Sequence, residues 1–391
     1  MRRSSLTSDP GLFGGLYARG EAASLLSDEA WLQAMLDVEA ALARACAQEE
    51  LIPARAAEAI AAGCDAGRFD LSSLASETAR HASPVVPLVA ALRALVGEPQ
   101  AQYVHAGATS QDVLDTAIML SAHRALVPLL RDAHAAADAA AALAEQHRAT
   151  PVAGRTLLQL ALPTSFGLHA AGWLHGIDAA SQRLAAIRAG ELPVQMGGPV
   201  GTRAPAVAAR VALELGLAEP ALPWHTVRVA PANLACALGV LAGVLGKVGR
   251  DVTLMAQQEV GELREGGDPD RGGSSAMAHK RNPVGAVSVL ACAKRAPGLV
   301  ATILACMEQE HERAAGAWQA EWGVHAELIG LVGSAAAWAR ELLEQLEVDP
   351  ERMRANLRRL AEAGVVQASA PDTHLGAASE LIDRALAAHR R

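Results

Sequence analysis

The sequence predicts an all-α subunit of three regions, with long central helices packed as a bundle, and three observations lead there. Hydrophobic residues make up 51% of the 391-residue chain while aromatics are only 3%. Ala and Leu, strong helix formers, dominate that apolar fraction. The alternation of Val, Ile, Thr and aromatic residues that marks strands is scarce. Finally, Leu234, Leu238, Leu241, Leu245, Val248, Val252 and Met255 recur in steps of four and three, a heptad-like seam.

That seam makes "LACALGVLAGVLGKVGRDVTLMAQQEV", residues 234–260, the clearest helix. Gly239, Gly243 and Gly246 lie off it, and glycines kept in a helix at a cost imply close helix–helix approach on a second face. A helix buried on two faces belongs at the centre of a large bundle or of an oligomer. Upstream, "SDEAWLQAMLDVEAALARACAQEE" opens on a Ser27 or Asp28 cap and puts Trp31, Met35, Val38 and Leu42 on one stripe. A third helix runs from Ser110 through "SQDVLDTAIML" for many turns, with a kink expected at Pro128, and a fourth from "NPVGAVSVLACAKRAPG" with one near Pro297. Turn-rich punctuation at "VGEPQAQ", "HRATPVAGRT", "RAGELPVQMGGPVGT" and "EVDPERM" divides the chain. The expected regions are an N-terminal helical domain, 1–100, a long-helix bundle domain, 101–346, and a short C-terminal helical region, 347–391.

Composition narrows the function classes. A net charge of −8 argues against nucleic acid, which needs a basic face. It leaves room for a small anionic substrate beside a local cluster such as Lys280 and Arg281. Cys46, Cys64, Cys236, Cys292 and Cys306 form no CxxC pair and read as reduced, mostly buried thiols. The N-terminus has two arginines without a following apolar run, so it is not a secretory signal. Gly, Arg or Asp interrupts each long apolar stretch, so no membrane span is expected and the protein reads as soluble and cytoplasmic.

Three stretches carry candidate chemistry. In "GGSSAMAHKRNP", Gly272 to Pro283, Lys280 follows His279, so this is no P-loop; the chain has no HExxH, and no metal site is expected. Taken alone, the run is a surface loop with a basic end. Yet it gathers Ser274, Ser275, Lys280 and Asn282: nucleophile, cation and amide donor. A serine hydroxyl is a poor base unless donors and a cation stabilise its oxyanion away from water. A loop that closes on glycine hinges supplies that exclusion. In "YVHAGATSQDVLDTA", residues 103–117, Thr109 or Ser110 caps a helix starting near Asp112; hydroxyls and free N–H groups there also make a carboxylate site. In "GRTLLQLALPTSFG", residues 154–167, Gln159 either holds an anion or is a solvated polar residue of a helix. His81 and His105 lie near these stretches and read equally as packing or functional histidines.

Together and in this order, the three stretches resemble the fumarase/aspartase superfamily, the first being similar to its mobile GSSxMPxKxNP loop and "GATSQD" to its carboxylate-binding turn. Within it, "LQAMLDVEAALARA", "SPVVPLVAALR", "LPWHTVR", "LGKVGRDVTLMAQQEVGEL", "HKRNPV", "HERAAGAWQAEW" and "HLGAASELIDRAL" are similar to the bacterial 3-carboxy-cis,cis-muconate cycloisomerases. The resemblance implies a homotetramer around a central bundle, active sites shared between subunits, a small di- or tricarboxylate substrate, and no metal or organic cofactor. It implies that Ser274 handles the proton on a carbon next to a carboxylate, with Lys280 and Asn282 stabilising the enediolate. Thr109 and Ser110 then hold a substrate carboxylate, Gln159 contacts another, and Met277 and His105 line the substrate. Leu157 stands where adenylosuccinate lyase and its nearest relatives carry the histidine of "RTHxQ", which argues against purine chemistry. Ala278 replaces the loop proline, and Val229 the aspartate that usually follows "WHTxR". The expected activity is closure of 3-carboxy-cis,cis-muconate to 4-carboxymuconolactone. The alternatives are a β-eliminating lyase that releases fumarate from an N-substituted succinate, and a catalytically silent helical scaffold.

Overall fold

The computed structural model describes residues 11–268, 270–277, 279–362 and 375–391; Ala278, one of the departures noted above, lies outside them. Helix dominates. The N-terminal part holds α1 (Gly14–Tyr17), α2 (Asp28–Gln48), α3 (Ala54–Gly63), α4 (Leu71–His81) and α5 (Val85–Val96). Ser27 caps α2 by accepting from the Ala30 N–H, and Asp28 and Glu29 complement the positive end of the helix. The expected stripe of α2 faces inward, with Met35, Val38 and Leu42 buried and Trp31 half-buried. α6 (Ser110–Gln146) contains Pro128 without ending there.

A β-hairpin follows, β1 (Pro151–Thr156) against β2 (Gln159–Ser165), antiparallel from Pro151↔Ser165 to Thr156↔Gln159. This corrects the helical reading of Gln159, which opens a strand. Pro151 and Pro163 lack the N–H a helix interior needs. Leu157 and Leu158 form the two-residue tip with φ 51° and 65°, the mirror-image turn whose twist suits a hairpin. Left-handed backbone at two leucines is strained, of order 1–3 kcal/mol each.

The chain continues through α7 (Phe166–Gly190), α8 (Pro205–Leu215), α9 (Val229–Met255), β3 (Leu263–Glu265) and α10 (Val284–Ala305), which holds Pro297 within it. α11 (Ala317–Glu344), β4 (Leu346–Val348), α12 (Pro350–Glu362) and α13 (Ala378–His389) complete it, with β3 and β4 antiparallel. The described residues fall into two compact units: those within 11–128, 184–239 and 296–333 in the first, and those within 129–183, 240–295, 334–362 and 375–391 in the second. In the first, α2 packs on α3 and α8 around Leu36, Leu42, Ile60, Leu88 and Leu92, all within 1% of full burial. In the second, α12 packs on the hairpin.

The α9 seam is buried along its length, none of its seven residues more than 5% exposed. The second-face glycines divide. A methyl at Gly239 would sit 2.9 Å from Val300 Cγ2 and one at Gly246 2.8 Å from the Ala293 Cβ, so α10 approaches where a side chain would stand. Gly243 faces open space instead. Contrary to the expectation of no span-length helix, α6, α9 and α10 are each long and apolar enough to cross a membrane by length and composition. One or two charges do not offset so many Ala, Leu and Val residues. Of those apolar windows 83%, 56% and 28% respectively are buried, so most of the α10 window is not fully buried within a single chain. Cys46, Cys292 and Cys306 are buried, Cys64 is half-buried and Cys236 is exposed, all of them free thiols.

Candidate active site

The first unit builds an anion-receptive turn at the start of α6. Thr109 is the residue before the helix, and its backbone N–H donates to Asp112 Oδ2 at 3.1 Å, half of a capping box. Asp112 is fully buried, and burying a carboxylate is costly unless donors surround it. Donors do: Gly197 N–H at 2.9 Å, Gly198 N–H at 2.8 Å, Gln195 Nε2 at 3.1 Å and His225 Nε2 at 3.1 Å. One carboxylate thereby joins "GATSQD", "QMGGPV" and "WHT". The hydroxyls of Thr109 and Ser110 are half-buried and bond no described residue, so they remain free to donate.

One turn further on, Asp115 shares a buried cation with Glu321. Arg228 donates to Asp115 Oδ2 at 2.6 Å and to Glu321 Oε2 at 2.7 Å, and none of the three side chains exceeds 1% exposure. Trp318 Nε1 and Gln111 Nε2 add donors to Asp115 at 2.9 and 3.0 Å, and the Trp224 ring lies 4.8 Å from the Arg228 guanidinium. Burial alone would lower the affinity of Arg228 for its proton; Asp115 and Glu321 more than reverse this and hold it charged. Burial likewise pushes the Glu321 carboxyl up, but His325 and Arg228 outweigh it and leave Glu321 below the usual carboxylate range.

His105 ends the approach to this turn at φ 64° and places Nδ1 2.6 Å from Glu39 Oε1 of α2. Arg203 Nη1 donates to the neighbouring Ala106 carbonyl at 2.8 Å.

The second unit holds the serine run. Its base is closed by Asn282, whose backbone N–H and side-chain Nδ2 both donate to Gly272 O, at 2.8 and 3.0 Å. Gly272 has φ 79°, and a methyl there would lie 2.3 Å from Asn282 O, so only glycine fits. Glu265 accepts from Gly285 and Ala286 N–H at 2.9 and 2.8 Å, capping α10. Arg271 reaches Glu341 at 3.0 Å and covers the Trp338 ring. Ser274 Oγ accepts from the Ala276 and Met277 N–H groups at 3.3 and 3.2 Å. Two amides aimed at that oxygen favour its charged form. Lys280 and Met277 are exposed on the same run. Gln159 is exposed at the start of β2, bonded to no described residue of the run. Its hairpin is tied down by Arg155, which grips the buried Glu262 with two bonds of 3.0 and 2.9 Å, and Asn356 Nδ2 adds a third at 2.8 Å. Thus Thr109, Ser110 and His105 are neighbours in one unit, while Ser274, Met277, Lys280 and Asn282 are neighbours in the other.

A family model described as Lyase matches residues 19–298. The chain belongs to the fumarase/aspartase superfamily of lyases. It is 46% identical over 355 residues, 88% of this chain and 77% of its relative, to 3-carboxy-cis,cis-muconate cycloisomerase of Pseudomonas aeruginosa. It is also 44% identical over 366 residues, 89% of this chain and 77% of the relative, to nitrosuccinate lyase of Streptomyces davaonensis. Among solved structures, 3-carboxy-cis,cis-muconate lactonizing enzyme of Pseudomonas putida matches with a TM-score of 0.89 and 36% identity, covering 97% of this chain and 99% of that one.

Within this lyase, sequence reading passed over Glu39, Asp112, Asp115, Arg228 and Glu321. Glu39 left one trace: it lies four residues after Met35 and three before Leu42, a carboxylate on an apolar stripe. Asp112 stands three residues after Thr109, the spacing of a capping box, but its other donors come from more than 80 residues away. Among the described residues, no group of three or more His, Cys, Asp or Glu side chains is placed to hold a metal.

Proposed function

We propose that this lyase is a cycloisomerase that closes 3-carboxy-cis,cis-muconate to 4-carboxymuconolactone. The observation that carries the proposal is the 46% identity to the Pseudomonas aeruginosa cycloisomerase over 88% of the chain. In the reaction a carboxylate oxygen of the substrate adds across a carbon–carbon double bond. Negative charge moves onto the adjacent carbon and its carboxylate, and that carbon is then protonated. Ser274 is assigned the proton transfer, supported by the two amides on its oxygen, which stabilise the alkoxide left behind. Lys280 and Asn282 are assigned to the developing enediolate. Thr109 and Ser110 hold a substrate carboxylate at the positive end of α6, beside His105; Met277 is assigned to the substrate lining, and Gln159 to another substrate carboxylate. Because nucleophile and leaving group are one substrate carboxylate, Leu157 at the hairpin tip is compatible with the reaction.

A homotetramer with shared active sites belongs to the same reading. Val287 and Leu304 of α10 are 50% and 43% exposed, Val240 of α9 is 59% exposed, and the Leu157–Leu158 tip is 96% and 73% exposed. Apolar faces of that kind need a cover. Lys294 and Arg295 at mid-α10 make lipid a poor one, so a second copy of the chain is assigned that role in a soluble, cytoplasmic protein.

The second reading, a β-eliminating lyase, draws on the 44% identity to nitrosuccinate lyase. Purified protein offered carboxymuconate, nitrosuccinate and a panel of succinyl amines distinguishes them. Lactone from the first is expected; fumarate release without any lactone refutes the cycloisomerase.

A further inference from the structure

We infer that Glu39 is a positioning residue that fixes the tautomer and orientation of His105, a step that rests on the cycloisomerase reading for its kinetic consequence. Glu39 is 1% exposed, among the least accessible carboxylates of the first unit, and it lies on the apolar stripe of α2 where a leucine or methionine would satisfy packing. A carboxylate buried there is destabilising unless something compensates it. Its compensation is a single short bond: Oε1 lies 2.6 Å from His105 Nδ1, while Oε2 is buried with no partner among the described residues. Packing explains neither the charge nor the orphan oxygen.

The backbone points the same way. His105 occupies left-handed conformation at φ 64°, which costs of order 1–3 kcal/mol for a side chain with a Cβ. Strain of that kind persists where the surroundings over-determine it, and here they act from two sides. Glu39 holds the ring, and Arg203 holds the next carbonyl, with Gly107 behind it at φ 66°. The Arg203 guanidinium also donates to Cys46 Sγ at 3.0 Å, so α2 supplies partners to both anchors.

The consequence is chemical. A carboxylate oxygen only accepts, so the bond to Glu39 requires a hydrogen on Nδ1. Nε2 is then the nitrogen left for other work, and it bonds no described residue although the side chain is only 14% exposed. In the neutral ring Nε2 presents a lone pair; in the imidazolium it presents an N–H to an anion. Either way Glu39 selects which nitrogen meets the substrate, four residues before Thr109.

Two measurements test this. The first needs no substrate: the protein labelled with 15N-histidine, its His105 signals assigned by their loss in His105→Asn, is followed through a pH series. Hydrogen on Nδ1 throughout, as the Nδ1–H tautomer or as imidazolium, is expected; a neutral Nε2–H tautomer overturns the inference whatever the enzyme turns over. The second is a double-mutant cycle with Glu39→Gln, His105→Asn and the pair, on the substrate the wild type uses. Glu39→Gln is expected to lower kcat at least about tenfold with KM little changed, because the ring loses the carboxylate that fixes its tautomer. The double variant is expected to be no slower than His105→Asn alone, because Glu39 acts through His105. Losses that multiply mean that Glu39 acts independently, and overturn the inference. Failure of the lactone assay with the expected histidine tautomer leaves Glu39 as positioner and removes only the cycloisomerase.

Discussion

The turn that opens α6 and the run from Gly272 to Pro283 are both short, polar and glycine-bearing, yet they are held in opposite ways. The first is locked from within: Asp112 receives five donors, and Asp115, Arg228 and Glu321 form a fully buried charge network one turn behind it. Among the described residues, the second is tied at its ends, by Asn282 to Gly272, by Glu265 to α10 and by Arg271 to Glu341, and Ser274 is supported by amides of its own run. The difference suits the two tasks proposed for these regions. Holding a carboxylate rewards dipoles that do not reorganise. Moving a proton to carbon calls for a group presented on a segment able to adjust around substrate.

Substitutions at each region should therefore fail differently. Ser274→Ala is expected to lower kcat at least about 1,000-fold, within the range of general acid–base losses, with an unchanged melting temperature. A loss below tenfold would remove the serine from proton transfer. Arg228→Met leaves two buried carboxylates unpaired and is expected to cost about 3–5 kcal/mol in urea unfolding, the opposite pattern of large stability loss. Gly272→Ala places a methyl against Asn282 O in left-handed backbone. About 1–3 kcal/mol of strain is expected there, appearing as reduced kcat because the segment is free to distort. Stability indistinguishable from wild type together with full activity would show that the base of the run is not fixed by Gly272.

The smallest effect concerns pH. Glu321 titrates below its ordinary range when folded, so its contribution is complete above the unfolded carboxylate range and is lost as pH falls through the folded value. Glu321→Gln should flatten the acid side of the stability curve relative to wild type. An unchanged slope would mean that Glu321 is not held charged by Arg228 and His325.

The same contrast explains what could be read in the sequence. Helices such as α2 and α9 were legible because Ala, Leu and Val recur at helical spacing, and the seam of α9 is buried as that spacing implies. The serine run was legible because its residue types are adjacent in the chain. The hairpin was not, since "GRTLLQLALPTSFG" lacks strand alternation and carries Leu157 and Leu158 where a tight turn favours Asn or Gly. Nor were the partners of Asp112 and Arg228, brought from segments about 80 to 110 residues distant by packing that no local pattern encodes. Glu39 sits between these cases, visible as a misplaced charge on an apolar stripe but unexplained until His105 stood beside it.

The central claim is that carbanion protonation assigned to Ser274 completes a lactone. Turnover of 3-carboxy-cis,cis-muconate in D2O by wild type and Ser274→Ala tests it most directly, with the product read by NMR. One deuterium at the carbon beside the carboxylate is expected from the wild type, and almost no lactone from the variant. A wild type that forms no lactone, or a variant that forms the deuterated lactone at an undiminished rate, contradicts the claim.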